Sequence, residues 1–236
     1  MRRNLQLMPP KNNTKTPDEA TRIAVPKSGT LVLTALRGSK FTDTTKAVDT
    51  RTNGVIRKAV KAASRFTGEK GQFLEILVPA GLHLNRILLA GLGKGSEVDR
   101  LAMEDLGGSA IKRVSTTGDE ALAIAVDAIP GVDFSVPEAA ARVAVGARLG
   151  NYWFGHYRTK EKPETLPSVK TVTILTDPVA EAKKAFKSMS AVADSVLFAR
   201  DLVTEPGNVI MPKTLADKAR SLAKLGLKVE VLGQAR

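Results

Sequence analysis

The sequence predicts an α/β fold with mixed sheet pairing, and three observations carry that expectation. Short runs rich in strand formers alternate with longer segments of helical apolar spacing along most of the chain. Glycine and proline punctuate the transitions, as at Gly68, Gly71, Pro137 and Gly226. The composition is that of a globular protein, with 43% apolar and 25% charged residues over 236 positions. That length holds one large domain, or one domain and part of another.

The elements follow in order. Residues 1–21 are polar, carry Pro9, Pro10 and Pro17, and read as a flexible leader. RIAV and GTLVLTAL (residues 22–36) read as two extended segments divided by Gly29. GVIRKAVKAASR (54–65) places Val55, Ile56, Ala59, Val60 and Ala63 at helical spacing with a basic opposite face. FLEILVP (73–79) and RILLAGLG (86–93) are strand-like. A helix starting near Asp99 runs through LAMEDLGGSAIKR, with a bend or break predicted at Gly107–Gly108.

ALAIAVDAI (121–129) reads as a short strand, and Pro137 opens the next helix at a position where its missing N–H does no harm. RTKEKPETLPS is the clearest linker and divides the chain over 158–169. KTVTILTD (170–177) restarts with a strand, followed by a helix over about 178–203, a helix over 213–225 ended by Gly226, and a strand over 227–232. The expected organisation is therefore a leader (1–21), a first α/β domain (22–157), a linker (158–169) and the beginning of a second α/β domain (170–236).

Several function classes are excluded. There is no cysteine, so disulfides and thiolate metal sites are absent. No apolar run approaches the ~20 residues of a bilayer span, and no signal-peptide core opens the chain. The expectation is a soluble, cytoplasmic protein without membrane contact. The net charge of +12 would attract polyanions. The basic residues are nevertheless dispersed, with short clusters at Arg57–Lys58–Lys61, Lys112–Arg113 and Lys183–Lys184. A solvated basic surface and a nucleic-acid footprint both remain open.

The candidate sites are few. GLGKG (91–95) follows a strand and could turn backbone amides toward an anion, which makes Gly91, Gly93 and Gly95 an anion-loop candidate. It lacks the spacing of a Walker motif or a dinucleotide fingerprint, and a plain glycine turn is the simpler account of it. His83 and His156 are far apart and belong to no paired ligand motif. Glu104 and Asp105 are adjacent and point apart on a helix, whereas Asp194 and Asp201 share a face at ordinary helical spacing. No nucleophile elbow or Ser/His/Asp constellation can be nominated. The aromatic–basic stretch YWFGHYRTKEKP (152–163) could stack a base, or it could pack a helix end against its domain.

One segment carries a family likeness. DLVTEPGNVIMPKTLADKA (201–219) resembles the opening of the catalytic domain of leucyl aminopeptidases, the cytosol aminopeptidase family, at Asp201, Leu202, Pro206, Asn208, Pro212, Leu215 and Ala216. Thr204 stands where that family usually has Asn, and Met211 where it has a Thr able to cap the next helix. RILLAGLGK and YWFGHYRTK resemble family segments in the same order, so the likeness covers roughly residues 22–236.

The resemblance implies a macro-domain-like N-terminal domain with a mixed sheet and flanking helices, followed by an incomplete second α/β domain. It implies an enzyme family that uses two divalent metals, Mn or Zn, to release N-terminal amino acids from peptides. It further implies a homo-oligomer, typically a hexamer, and DNA binding in some members. The family's metal ligands, a lysine, three aspartates and a glutamate, lie beyond the segment resembled here. No catalytic or metal-binding residue is therefore expected in this chain, which is expected to be inactive alone. A basic binding module for nucleic acid or an ADP-ribose-like ligand, or an assembly subunit for a separate catalytic chain, is the alternative.

Overall fold

Residues 30–36, 86–91 and 121–125 are apolar on both faces of the extended chain, and such runs are stable only where both faces are covered. In a computed structural model, which describes residues 4–8 and 26–233, they form the centre of one mixed sheet. The elements run β1 (Asn4–Met8), β2 (Thr30–Leu36), β3 (Lys40–Phe41), α1 (Asp43–Arg51), α2 (Val55–Ala62), β4 (Phe73–Leu77) and β5 (Arg86–Gly91). They continue with α3 (Arg100–Val114), β6 (Ala121–Ala125), α4 (Val136–Gly150), β7 (Thr171–Leu175), α5 (Val179–Thr204) and α6 (Pro212–Ser221).

The sheet order is β1-β7-β6-β2-β5-β4, with β3 folded back on β2. Strands β1, β7, β6, β2 and β5 are mutually parallel, and β4 closes one edge antiparallel to β5. Side chains alternate between two cores. Leu31, Leu33, Ile87, Leu89 and Ala123 face α1 and α2 through Val48 and Ile56. Val32, Leu88, Leu122, Ile124 and Ile174 face the opposite way, against Met103, Leu106 and Ile111 of α3, Val143 of α4 and Ala182 of α5.

Helices α3 and α4 make the most extensive interhelical contact in the chain. Both start at a well-formed cap, with Asp99 accepting from the Ala102 N–H and Ser135 from the Glu138 N–H. Gly107 and Gly108 do not break α3, contrary to the sequence expectation; they let α4 approach its backbone. A Cβ on Gly107 would overlap the Val143 carbonyl and lie 2.7 Å from the Ala147 nitrogen, and a Cβ on Gly146 would overlap the Glu104 carbonyl. A Cβ on Gly150 would lie 2.8 Å from the Gly108 Cα. Flanking this seam, Arg142 binds Glu104 (2.6 Å) and Glu138 (3.3 Å), and Arg100 binds Glu138 (2.7 Å) and Asp133 (3.0 Å).

A buried carboxylate fastens the N-terminal ends of the central strands. Asp119, 4% exposed, accepts from Thr30 Oγ1 at the head of β2 (2.5 Å), from Asn85 Nδ2 (2.6 Å) and from Arg86 Nε at the head of β5 (3.3 Å). Arg86 also pairs with Glu75 on β4. Burial opposes ionisation of Asp119, but the donors from Asn85, Thr30 and Arg86 outweigh it and hold its pKa below the ordinary value.

The structure corrects the sequence reading at several points. Residues 4–8, placed in the flexible leader, form β1 and extend the sheet beside β7. The expected strand over 22–25 and the rest of the leader, 9–21, lie outside the described residues. Helix α1 was not foreseen, because Asp43–Arg51 is mostly polar and buries threonines rather than aliphatic residues. The linker at 158–169 does not separate two sheets, since β7 follows it and pairs with β6 in the same sheet. The compact units are Met1–Ala193 and Asp194–Arg236. The second unit holds the end of α5, α6 and a turn ended by Gly226 in the left-handed conformation. The expected strand at 227–232 is not formed, and among the described residues the second unit contains no strand for it to pair with in a sheet.

Two outcomes test this description. Gly146→Ala should lower stability by about 2 kcal/mol or more, because backbone must move to admit the methyl group, whereas Gly207→Ala, with open space around it, should stay within about 0.5 kcal/mol; urea unfolding of the full chain measures both. The Asp119 carboxylate has a depressed folded pKa, so its stabilisation is complete above the unfolded value of about 3.9 and is lost as pH falls through the lower folded value. Asp119→Asn should therefore reduce the urea midpoint at pH 7 and flatten the loss of stability between neutral and acid pH.

Candidate functional site

In open α/β sheets, ligands bind beyond the carboxyl ends of the strands, where successive connections diverge to opposite sides. Here the divergence lies between β2 and β6: the chain leaves β2 toward β5 and leaves β6 toward β7. The first turn of α1 reaches this point, and its free backbone amides would suit an anion. An internal carboxylate occupies that role. Asp127, just past β6, accepts from the Thr44 N–H at 3.0 Å and from the Thr44 hydroxyl. Beneath it, Thr42 and Thr45 hydrogen-bond to one another (3.1 Å) and donate to the Thr34 carbonyl at 3.1 and 2.7 Å. The Thr44 amide and hydroxyl at this helix terminus are therefore already engaged from within the chain.

The glycine loop is likewise committed. The amide of Gly91 donates to the Gln72 carbonyl (2.8 Å), that of Leu92 to Ala35 (2.9 Å) and that of Gly93 to Gly68 (2.9 Å). A Cβ on Gly91 would overlap the Glu69 carbonyl, and one on Gly95 would lie 2.7 Å from the Pro130 carbonyl oxygen. Gly91 and Gly95 serve close backbone packing, and Gly93 takes a positive φ of 80°. The loop seats the 67–72 turn against the sheet rather than aiming these amides at an anion.

The other sequence candidates are not brought together. His83 is exposed in the β4–β5 loop, and His156 is exposed with its ring edge-on to Tyr157 at 4.7 Å. Trp153 is covered by the guanidinium of Arg158 at 4.7 Å, and so is engaged within its own segment. Glu104 turns to Arg142 and Asp105 to Lys70, in opposite directions as expected. Among the described residues, no group of three His, Asp or Glu side chains is placed to hold a metal ion. The two divalent metals that the resemblance implies have no fitting donor set among them, and no chemical step is routed through a metal in this chain.

The residues of the likeness near position 205 form a helix–turn–helix boundary. Asp201 and Leu202 end α5, and Asp201 O accepts from the Glu205 N–H (3.0 Å). The carbonyl of Pro206 accepts from Val209 (2.9 Å) and Ile210 (3.0 Å), closing the turn that contains Asn208. Pro212 begins α6, whose Leu215 is 47% exposed and which also carries Ala216. Met211 makes no side-chain cap, but its N–H donates to Thr214 Oγ1 at 2.8 Å, so the hydroxyl three residues on ties the start of the helix to its first turn. Sequence reasoning missed that substitute, although Thr214 stands at the spacing that signals it.

Comparison with known proteins gives this geometry a context. The family model described as the cytosol aminopeptidase family, N-terminal domain, matches residues 32–161. A probable cytosol aminopeptidase of Caulobacter vibrioides is 40% identical over 205 residues, covering 87% of this chain and 40% of that protein. One from Rhodopseudomonas palustris is 37% identical over 211 residues, covering 89% of this chain and 41% of its own length. The chain thus spans about two fifths of the length of these curated relatives.

Among solved structures, a mutant tomato leucine aminopeptidase shares the fold with a TM-score of 0.72 at 22% identity, over 95% of this chain and 42% of that one. The bottromycin maturation enzyme BotP in complex with Mn does so with a TM-score of 0.61 at 21% identity, over 84% of this chain and 36% of that one. These likenesses correct the macro-domain expectation: the mixed sheet and its helices follow the leucine aminopeptidase and BotP fold, not a macro domain. With the family pattern running over more than half of its residues, the chain belongs to the cytosol aminopeptidase family and carries its N-terminal domain.

Proposed function

We propose that this chain is the scaffold portion of a metal-dependent aminopeptidase that releases N-terminal amino acids from peptides, with the chemistry residing on residues outside it. The observation that carries this reading is the family match over residues 32–161, joined to relatives of which the chain represents about two fifths. One feature of the structure supports it. The stretch from residue 192 onward exposes Val192 (65%), Val203 (86%), Leu225 (77%) and Leu232 (63%), and α6 buries none of its residues. An exposed apolar surface of this kind calls for a covering partner, and the remainder of a catalytic domain is the partner proposed. The working form is proposed to be a homo-oligomer, and its metals, Mn or Zn, to be held by that remainder.

The test is reconstitution. The purified chain with a leucine amide substrate and manganese should show no turnover above buffer. Co-expressed with the part of the Caulobacter vibrioides relative that lies beyond the matched region, it should co-purify and hydrolyse the substrate, with activity removed by a chelator and restored by Mn. Turnover by the chain alone through successive purification steps would contradict the scaffold assignment. A co-purifying pair without turnover would contradict the proposed activity.

A further inference from the structure

The cluster Arg57–Lys58–Lys61 has no part in the account so far, and it borders an open hollow on the surface. That hollow, of about 500 Å3, is lined by Ser39, Phe41, Lys46, Arg57, Val60 and Lys61. Three of the six lining residues are cations, two are apolar, and none is a carboxylate. It lies on the α1–α2 side of the sheet.

The arginine is held in place from behind. Asp49 on α1 is 1% exposed, and its Oδ1 accepts from the Arg57 N–H at 2.9 Å. Its Oδ2 makes no hydrogen bond of proper angle but lies 3.2 Å from Arg57 Nη2, an ionic contact. A buried carboxylate paired with a side chain that is itself 78% exposed is a poor device for stability, because desolvation offsets most of the attraction. It is an effective device for orientation. A guanidinium carries five donors in a fixed plane; Asp49 lies in ionic contact with one nitrogen of it and holds the Arg57 backbone, and Arg57 lines the hollow. Lys46 pairs with the exposed Asp43 at 3.0 Å, and Lys61 adds a further cation to the lining.

We propose that this hollow binds a phosphate-bearing small molecule, with phosphoryl oxygens on Arg57 and Lys61 and an apolar body against Phe41 and Val60. Planar guanidinium recognition of a tetrahedral anion, beside apolar surface in a hollow of this size, is the chemistry of such sites. Asp49 is then a positioning residue.

Calorimetry of the full chain at low salt, with phenyl phosphate and inorganic phosphate as probes, tests the proposal. Phenyl phosphate should bind the tighter of the two. Lys46→Gln with Lys61→Gln, both at exposed positions, should weaken it at least about tenfold, and Lys183→Gln with Lys184→Gln on α5 should leave it unchanged. Arg57→Gln should abolish binding and Arg57→Lys should recover part of it. Equal affinity in the Lys46/Lys61 variant, or no binding at millimolar phenyl phosphate, would overturn the proposal. Binding of duplex DNA without binding of phenyl phosphate would overturn it too, by making the cations a backbone-tracking surface.

Discussion

Where α3 and α4 meet, carbonyl oxygens stand in the places that side chains would otherwise fill. The Val143 carbonyl lies over Gly107 and the Glu104 carbonyl over Gly146. This approach sets the thickness of the layer that covers one face of the sheet, and the rest of the fold is fitted to it. Val32, Leu88, Leu122 and Ile124 are packed beneath the pair, and Met103, Leu106, Ile111 and Val143 fill the gap from above. The arginines at the seam have their positions fixed by the same geometry, since Arg142 reaches Glu104 on the facing helix only because the backbones are close. Side chains at the glycine positions would force the layers apart, and close-packed interiors do not absorb such a change without loss.

The sheet built under that layer is tied at both strand ends by hydrogen bonds from within the chain. Beyond β2 and β6, Asp127 accepts from Thr44 in the first turn of α1, and the Gly91, Leu92 and Gly93 amides bond to backbone carbonyls of the chain. Asp119 clamps the opposite end. Internal carboxylates thus stand at both ends of the central strands. The chain belongs to the cytosol aminopeptidase family and spans about two fifths of the length of the curated relatives it matches.

Much of the fold was legible in the sequence, for reasons that can be named. Strands β2, β5 and β6 are continuous apolar runs because both faces are covered, and Asp99 and Pro137 marked the starts of α3 and α4. Helix α1 was not legible, because Thr44, Thr45 and Asp49 are buried through hydrogen bonds that periodicity cannot register. Gly107–Gly108 suggested a break because the partner glycines, Gly146 and Gly150, lie far along the chain. The 158–169 segment looked like a domain boundary on composition, whereas strand pairing across it is a non-local fact. The family motif at Asp201–Ala216 was legible as a pattern, but its turn hydrogen bonds and the Thr214 substitute for a cap emerged only in three dimensions. Asp127 and Asp119 drew no notice, because an aspartate beside a strand looks the same whether it caps a helix, clamps two strands or faces water.

The central claim is that the sheet with its two helical layers stands by itself, while the residues beyond it depend on a partner surface. Hydrogen exchange on the isolated chain tests this most directly. Amides of β2, β5, β6, α3 and α4 should open only with global unfolding, and those of α6 should exchange about a thousandfold faster. Protection of α6 equal to that of β2 and β5 would contradict the claim.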